Sequence, residues 1–184
     1  MNETGQNGIL VIDNVLPEKM CNQIIGWFDE NRDAASEGTA GRNLLDNKEI
    51  AINLKTYDDF YGLGHYLEHA FEIYKYHYPD LDHLNKFQVD NSLQLCKFEP
   101  GKYYEKPHCE QDGHPSYLKR VMTFMIYLNT IEEGGETKFN VFNVQTKAKK
   151  GTMVIWPAGW PYIHQGIVAP KSHKYFINGW VSYE

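Results

Sequence analysis

Two rhythms of apolar and polar residues run through this chain, and the change from one to the other divides it. Ile9-Leu10-Val11-Ile12 is an aliphatic run that predicts a first strand, broken by Asp13-Asn14. Pro17 then opens a helix, since its fixed φ suits a first turn. Cys21, Ile24, Ile25 and Phe28 recur at helical spacing, so this helix runs to about Asn31 with one buried stripe. The polar stretch from Asp33 to Lys48, with Gly38 and Gly41, reads as a mobile loop lying over the pocket. From Tyr57 to about Tyr76 the helical rhythm returns through Phe60, Leu63, Leu67, Ala70, Phe71 and Tyr74.

After Pro79 the period falls to two. Val89 to Phe98 predicts a strand, ended by the turn signal Glu99-Pro100-Gly101. Arg120 to Leu128 is nearly continuous in apolar residues and predicts a strand covered on both faces. Glu133-Gly134-Gly135-Glu136 is a turn. Thr137 to Val144, Thr152 to Trp156, Ile163 to Val168 and Tyr175 to Val181 complete a set of short strands. The expected class is mainly β with supporting helices (α+β), built as a double-stranded β-helix or jelly roll. With no internal repeat and no linker, residues 1–184 form one domain, with 1–88 as helical support and 89–184 as the core.

Composition narrows the function classes. A chain of 184 residues with 42% hydrophobic and 23% charged positions has enough apolar residues for a packed core. The net charge of −6 and the lack of a long basic run argue against nucleic acid as a partner. Lys147, Lys149 and Lys150 form a short basic patch that reads as a solvated turn. Three cysteines, Cys21, Cys96 and Cys109, are too few for a disulfide framework and suit a reducing compartment. No apolar run approaches membrane-spanning length, and Met1-Asn2-Glu3-Thr4 lacks the start of a secretory signal. A cytoplasmic protein without a membrane partner is expected.

The chemistry concentrates late in the chain. In a strand, His108 and Glu110 point to one side while Cys109 points away. His164 adds a second imidazole. Two histidines and one carboxylate form the set that holds one face of an octahedral Fe(II) and leaves the other face open. Lys174, ten positions beyond His164, is placed to hold the far carboxylate of an acidic cosubstrate. Asp112 is a rival carboxylate, but its spacing from His108 suits a helix better than a strand. His65 and His69, one helical turn apart, are a second metal candidate without the glutamate of a His-Glu-x-x-His motif. His114 and His173 read as bystanders, the latter pointing away from Lys174.

The stretch from Phe98 to Glu184 resembles the catalytic core of the 2-oxoglutarate and Fe(II)-dependent dioxygenases, on their prolyl 4-hydroxylase-like branch. The pieces follow that family's order. Phe98-Glu99-Pro100-Gly101-Lys102-Tyr103-Tyr104 resembles its aromatic lead-in, and His108-Cys109-Glu110 its ligand pair. Arg120 through Asn129, with Glu132 to Thr137, resembles a strand and turn of prolyl hydroxylases. Lys149 to Trp156 resembles the strand before the distal histidine, and His164, Lys174 and Trp180 keep the closing spacing. Glu110 stands where aspartate is commoner. Phe98 stands where a cosubstrate-contacting tyrosine is frequent, which leaves Tyr103 or Tyr104 to replace it. One extra residue between Gly101 and His108 resembles phage and microbial members.

The resemblance implies His108, Glu110 and His164 as iron ligands. It implies Lys174 and Thr137 on the C5 carboxylate of 2-oxoglutarate, Tyr104 beside it, and Arg120 and Trp180 lining the pocket or its mouth. Fe(II), 2-oxoglutarate and O2 are the implied cofactor and cosubstrates, with ascorbate as a candidate reductant. Val121, Met125, Tyr127 and Ile155 are expected to form an apolar floor. The implied reaction hydroxylates a C–H bond, most naturally of a peptidyl proline. A small molecule, a free amino acid or a modified base is the alternative substrate. A cupin-like metal-binding module, or a purely structural jelly roll, is the alternative outside this family.

Overall fold

A computed structural model describes residues 2–34, 36–37, 47–53, 62–104 and 106–184. Its strands are β1 (Glu3–Gln6), β2 (Ile9–Ile12), β3 (Ser36–Glu37), β4 (Asn47–Asn53), β5 (Phe87–Val89), β6 (Ser92–Phe98), β7 (Arg120–Tyr127), β8 (Thr137–Phe139), β9 (Val144–Thr146), β10 (Met153–Pro157), β11 (His164–Gly166) and β12 (Lys174–Tyr183). The helices are α1 (Glu18–Glu30) and α2 (Leu63–His77). Among the described residues the larger sheet runs β1-β2-β10-β7-β12-β6-β4-β3, with β5 also on β12. The smaller sheet runs β11-β8-β9. All pairings are antiparallel.

Two cores follow from the period of two. One face of the larger sheet packs Leu93, Leu95, Phe124, Ile126 and Ile177 against Cys21, Ile24 and Phe28 of α1 and Leu67 and Phe71 of α2. The opposite face packs Phe98, Met125, Tyr127 and Phe176 against Phe139 and Val144 of the smaller sheet. This sheet-on-sheet packing is the expected jelly-roll architecture. The prediction that the strand at Arg120–Tyr127 is covered on both sides holds: Met122 to Tyr127 are all buried.

Two glycines shape the fold by close approach. At Gly134, φ is +77° and a Cβ would fall 1.8 Å from the Val168 carbonyl oxygen, so only glycine passes this turn. At Gly179 a Cβ would lie 2.2 Å from the Phe124 ring, which fills the space beside β12.

Several expectations are corrected. Residues 1–88 are more than helical support, because β2 pairs with β10 and β4 pairs with β6 inside the larger sheet. The stretch read as a loop up to Lys48 contains β3 and the start of β4, where pairing to β6 overrides weak local propensity. Residues 38–46 of that stretch lie outside the described residues. So do residues 54–61, including Phe60, and the helix predicted from Tyr57 is described from Leu63. The single strand read over Thr137–Val144 is a hairpin of β8 and β9, turned by Asn143 at φ +53°. The strand read from Val89 is split between β5 and β6. Lys149 and Lys150 pair with Asp13 and Glu18, so much of the basic patch ties β10's approach to the N-terminal elements.

Candidate functional site

The face of the larger sheet turned toward the smaller one opens at one end into a cavity of roughly 310 Å³. It is lined by His108, Glu110, His164, Lys174, Thr137, Tyr104, Arg120 and Trp180, so every site residue expected from the sequence meets in one place.

His108 and His164 sit opposite each other in an isolated antiparallel bridge. Their ring centroids are 4.4 Å apart. The Nδ1 of His108 lies 3.0 Å from the Lys106 carbonyl, and that of His164 lies 3.0 Å from the Tyr162 carbonyl. A carbonyl can only accept, so each Nδ1 carries the proton and each Nε2 lone pair is free to bind a metal. Both Nε2 atoms face Glu110 Oε1, at 3.3 and 3.6 Å. Two ligands at right angles, each about 2.1 Å from one ion, would stand about 3 Å apart. The donor set therefore fits a two-histidine, one-carboxylate iron site, and it is the one group of three metal-ligating side chains so gathered among the described residues.

Glu110 is partly buried, which raises its pKa, but His108 and His164 in their doubly protonated form donate to it through Nε2, and those hydrogen bonds and charges outweigh burial and hold it well below the usual carboxylate range. Its second oxygen, Oε2, accepts from Trp180 Nε1 at 2.7 Å and from Arg120 Nη1 at 3.2 Å. Arg120 also donates to the Glu110 carbonyl at 3.1 Å, and its guanidinium lies 4.0 and 4.1 Å from the Tyr117 and Trp180 ring centroids. Arg120 and Trp180, read from the sequence as catalytic lining, thus grip a ligand carboxylate directly. The rival carboxylate Asp112 is exposed and instead accepts from the His114 amide at 2.9 Å. His65 and His69 are surface residues on α2, each within 4 Å of its own glutamate, Glu68 or Glu72.

Lys174 is 3% exposed. Its Nζ lies 5.2 and 5.0 Å from the ring centroids of Tyr127 and Phe176, and no carboxylate among the described residues comes within 4 Å of it. Burial lowers its pKa to about 8 against the smaller opposing pull of Cys96 and Glu136. A desolvated ammonium without a counter-ion favours an incoming anion strongly. His173 points the other way, to Glu99 at 2.9 Å, as strand alternation requires.

Thr137 is buried in the cavity wall, its hydroxyl 2.8 Å from Tyr127 Oη, which in turn lies 2.9 Å from Thr146 Oγ1. Of the two tyrosines open as replacements at Phe98, Tyr104 faces the cavity with its ring 4.5 Å from that of His108. Tyr103 lines a separate groove with Pro107 and Val168. Burial, then Glu110 and Asp112, push the Tyr104 hydroxyl pKa upward.

The expected apolar floor is half right. Met125 and Tyr127 belong to the cavity-side core, but Ile155 packs in the helix-side core. Val121 follows it because a bulge opposite Val181/Ser182 breaks the alternation between Arg120 and Met122. Trp156 and Phe176 take their places, Trp156 edge-on to His164 at 5.0 Å. Gln94 and Asn178, also in the wall, were missed, although strict counting of alternate positions from Lys174 and Phe98 reaches both.

Comparison with known proteins places this geometry. Residues 93–182 match the 2OG-Fe(II) oxygenase superfamily. A provisionally named prolyl 4-hydroxylase of Acanthamoeba polyphaga mimivirus is 28% identical over 110 residues, which cover 51% of this chain and 46% of that protein. The match therefore spans less than half of that curated relative's length. The viral collagen prolyl hydroxylase of Paramecium bursaria chlorella virus-1, solved as a 2OG complex, superposes with a TM-score of 0.74 at 19% identity, covering 97% of both chains. A Trichoplax adhaerens prolyl hydroxylase, solved with a hypoxia inducible factor oxygen degradation domain peptide fragment, gives 0.71 at 16% identity, covering 96% of this chain and 84% of that one. Over residues 93–182, just under half of the chain, the sequence is similar to the 2OG-Fe(II) oxygenase superfamily, and the fold is that of the solved prolyl hydroxylases.

Proposed function

We propose that the chain is an Fe(II)- and 2-oxoglutarate-dependent hydroxylase acting on a proline within a peptide or protein. The observation that carries this reading is one cavity holding both the His108–Glu110–His164 donor set and the buried cation of Lys174. Iron held by those three residues, with 2-oxoglutarate and O2, supplies the oxidation that replaces C–H by C–OH while the cosubstrate becomes succinate and CO2.

The rest is the work of this chain's own side chains. Lys174 binds the far carboxylate of 2-oxoglutarate as a charge-assisted pair, with the Thr137 hydroxyl beside it. Phe98, Met125, Trp156 and Phe176 line the cavity and exclude water from the reacting centre. Tyr104 packs against His108 at the opening. Trp180 and Arg120 hold Glu110 in place.

Charge favours a peptide over a free amino acid. A free amino acid brings its own α-carboxylate, which needs a cation. Among the described cavity residues, Lys174 serves the cosubstrate, Arg120 is bound to Glu110 and stacked on two rings, and Lys106 is exposed at the mouth. A peptidyl proline asks for none of them. The pocket cation Lys174 also argues against a metal-binding module without a cosubstrate. Free thiols at Cys21, Cys96 and Cys109 support extending the proposal to a reducing, cytoplasmic setting.

Incubating iron-loaded protein, 2-oxoglutarate and O2 with proline-containing peptides, and in parallel with free proline and small-molecule pools, tests the reading by mass spectrometry. One added oxygen on a peptide, matched by succinate, is the expected result. Oxygen added only in the small-molecule pools replaces the peptide by the second substrate class.

A further inference from the structure

We infer that Trp180 and Arg120 are positioning residues that dedicate one oxygen of Glu110 to the metal, and that their grip suits this ligand position to glutamate rather than aspartate. The inference rests on the metal reading above and goes beyond it. The two carboxylate oxygens are divided between two sets of partners. Oε1 faces both imidazole Nε2 atoms, at 3.3 and 3.6 Å. Oε2 faces away from them and accepts from the indole at 2.7 Å and the guanidinium at 3.2 Å. An oxygen with two N–H donors has its lone pairs engaged, so Glu110 offers the metal a single atom.

The grip has its own support. Arg120 holds the main-chain carbonyl of residue 110 as well as its side chain, at 3.1 Å, so backbone and carboxylate are tied to the same group. The guanidinium lies between the Tyr117 and Trp180 rings, which restricts the swing of both the arginine and the indole. Trp180 projects from β12, hydrogen-bonded in register to β7, so its indole stands on rigid sheet. Glu110 itself lies outside any strand, its flanking backbone pinned by His108 to His164 and by the Gln111 amide to the Ala158 carbonyl.

Chain length follows from these fixed points. An aspartate at 110 would be shorter by one carbon–carbon bond, about 1.5 Å. With the backbone held by Arg120, that carboxylate reaches either the imidazole side or the indole, and one of the two contacts opens beyond hydrogen-bond range. The glutamate at this position and the indole opposite it are therefore one device.

Co(II) titration of metal-free protein, followed by its visible d–d absorption, tests this without catalysis. Trp180→Phe keeps an aromatic ring beside Arg120 and removes the indole N–H together with one of the two fused rings. The prediction is about a 10- to 100-fold loss of Co(II) affinity, the usual cost of losing a hydrogen bond to a ligand. The bound spectrum should also change as Oε2 becomes free to join the metal, while the thermal midpoint of the metal-free protein stays near wild type. A merely structural tryptophan would shift the midpoint and leave the spectrum alone. Should Trp180→Phe not fold, Glu110→Asp serves, with at least a tenfold loss expected. Wild-type affinity and spectrum in the folded variant overturn the clamp, while loss of binding in His164→Ala keeps the metal site itself intact. A wild type that binds no Co(II), indistinguishable from His164→Ala, instead brings down the metal reading and the clamp with it.

Discussion

His108 and His164 lie directly opposite one another and exchange both main-chain hydrogen bonds, at 3.0 and 2.9 Å. The bridge stands apart from the named strands, yet it locks the segment bearing His108 onto β11, which is paired in turn to β8. The spacing of the two imidazoles is thus set by backbone. Their tautomers are set by backbone too, through the carbonyls of Lys106 and Tyr162. The ligand set is largely formed before any metal arrives.

His108→Ala or His164→Ala should therefore remove a ligand without removing the bridge. Each variant is expected to lose metal affinity by more than 100-fold and to form no succinate. His164 is buried and packs between Phe139 and Trp156, so its loss should also cost about 1–2 kcal/mol of stability. His108, at 29% side-chain exposure, should cost less. Calorimetric metal titration and thermal melts of the metal-free proteins separate the two effects.

Lys174→Ala should leave metal binding intact and raise the 2-oxoglutarate requirement. Removing one partner of a buried ion pair costs about 3–5 kcal/mol, which corresponds to a rise of 100-fold or more in the cosubstrate KM. Steady-state succinate assays against 2-oxoglutarate concentration, beside metal titration of the same variant, check both halves.

The pKa of about 8 at Lys174 gives a pH signature in the empty protein. An anion binds the charged lysine, so 2-oxoglutarate affinity should be flat below about pH 7 and fall as pH rises through 8. Stability runs the opposite way. The folded value lies below the unfolded one, near 10.5, so the unfolded chain holds more protons between pH 8 and 10.5. The cost of burying the ammonium is present in full below pH 8, on the order of 3 kcal/mol, and is relieved as pH rises toward 10.5. Lys174→Met should accordingly be more stable than wild type at pH 7, with the difference shrinking toward pH 10. Denaturant melts across that range are the check.

Thr146 lies outside the cavity lining but supports it. Its hydroxyl reaches the Thr137 carbonyl at 3.4 Å and lies 2.9 Å from Tyr127 Oη, which contacts Thr137 Oγ1. Thr146→Val keeps the shape but removes one of the two hydroxyl partners of the buried Tyr127 phenol, leaving Thr137, at a cost of about 1 kcal/mol of stability. It should also raise the 2-oxoglutarate KM several-fold with kcat little changed, while Thr146→Ser restores both. Kinetics of the three proteins decide it.

Much of this was legible in the sequence, for identifiable reasons. The strand over Arg120–Tyr127 carries a long apolar run, and α1 carries a clean helical stripe, so burial alone announces them. The ligand set was legible because His108 and Glu110 are neighbours in sequence and Lys174 sits on a regular strand. What escaped depended on distant partners. β4 has the alternation Glu49-Ile50-Ala51-Ile52-Asn53, yet only its pairing with β6 makes it a strand. The turn of Val121 away from the cavity and into the helix-side core comes from a bulge opposite another strand, which local pattern does not reveal. The contact between Trp180 and Glu110 spans 70 positions and needed the folded sheet to appear.

The central claim is that one cavity holds the two ends of one dicarboxylate, its metal-chelating end at His108, Glu110 and His164 and its far end at Lys174. Calorimetric titration of 2-oxoglutarate into Mn(II)-loaded and metal-free protein, for wild type and Lys174→Ala, addresses it without turnover. The prediction is tight one-to-one binding only when metal and Lys174 are both present, with either loss weakening it by 100-fold or more. Equal 2-oxoglutarate binding with and without metal, or binding indifferent to Lys174, would contradict it.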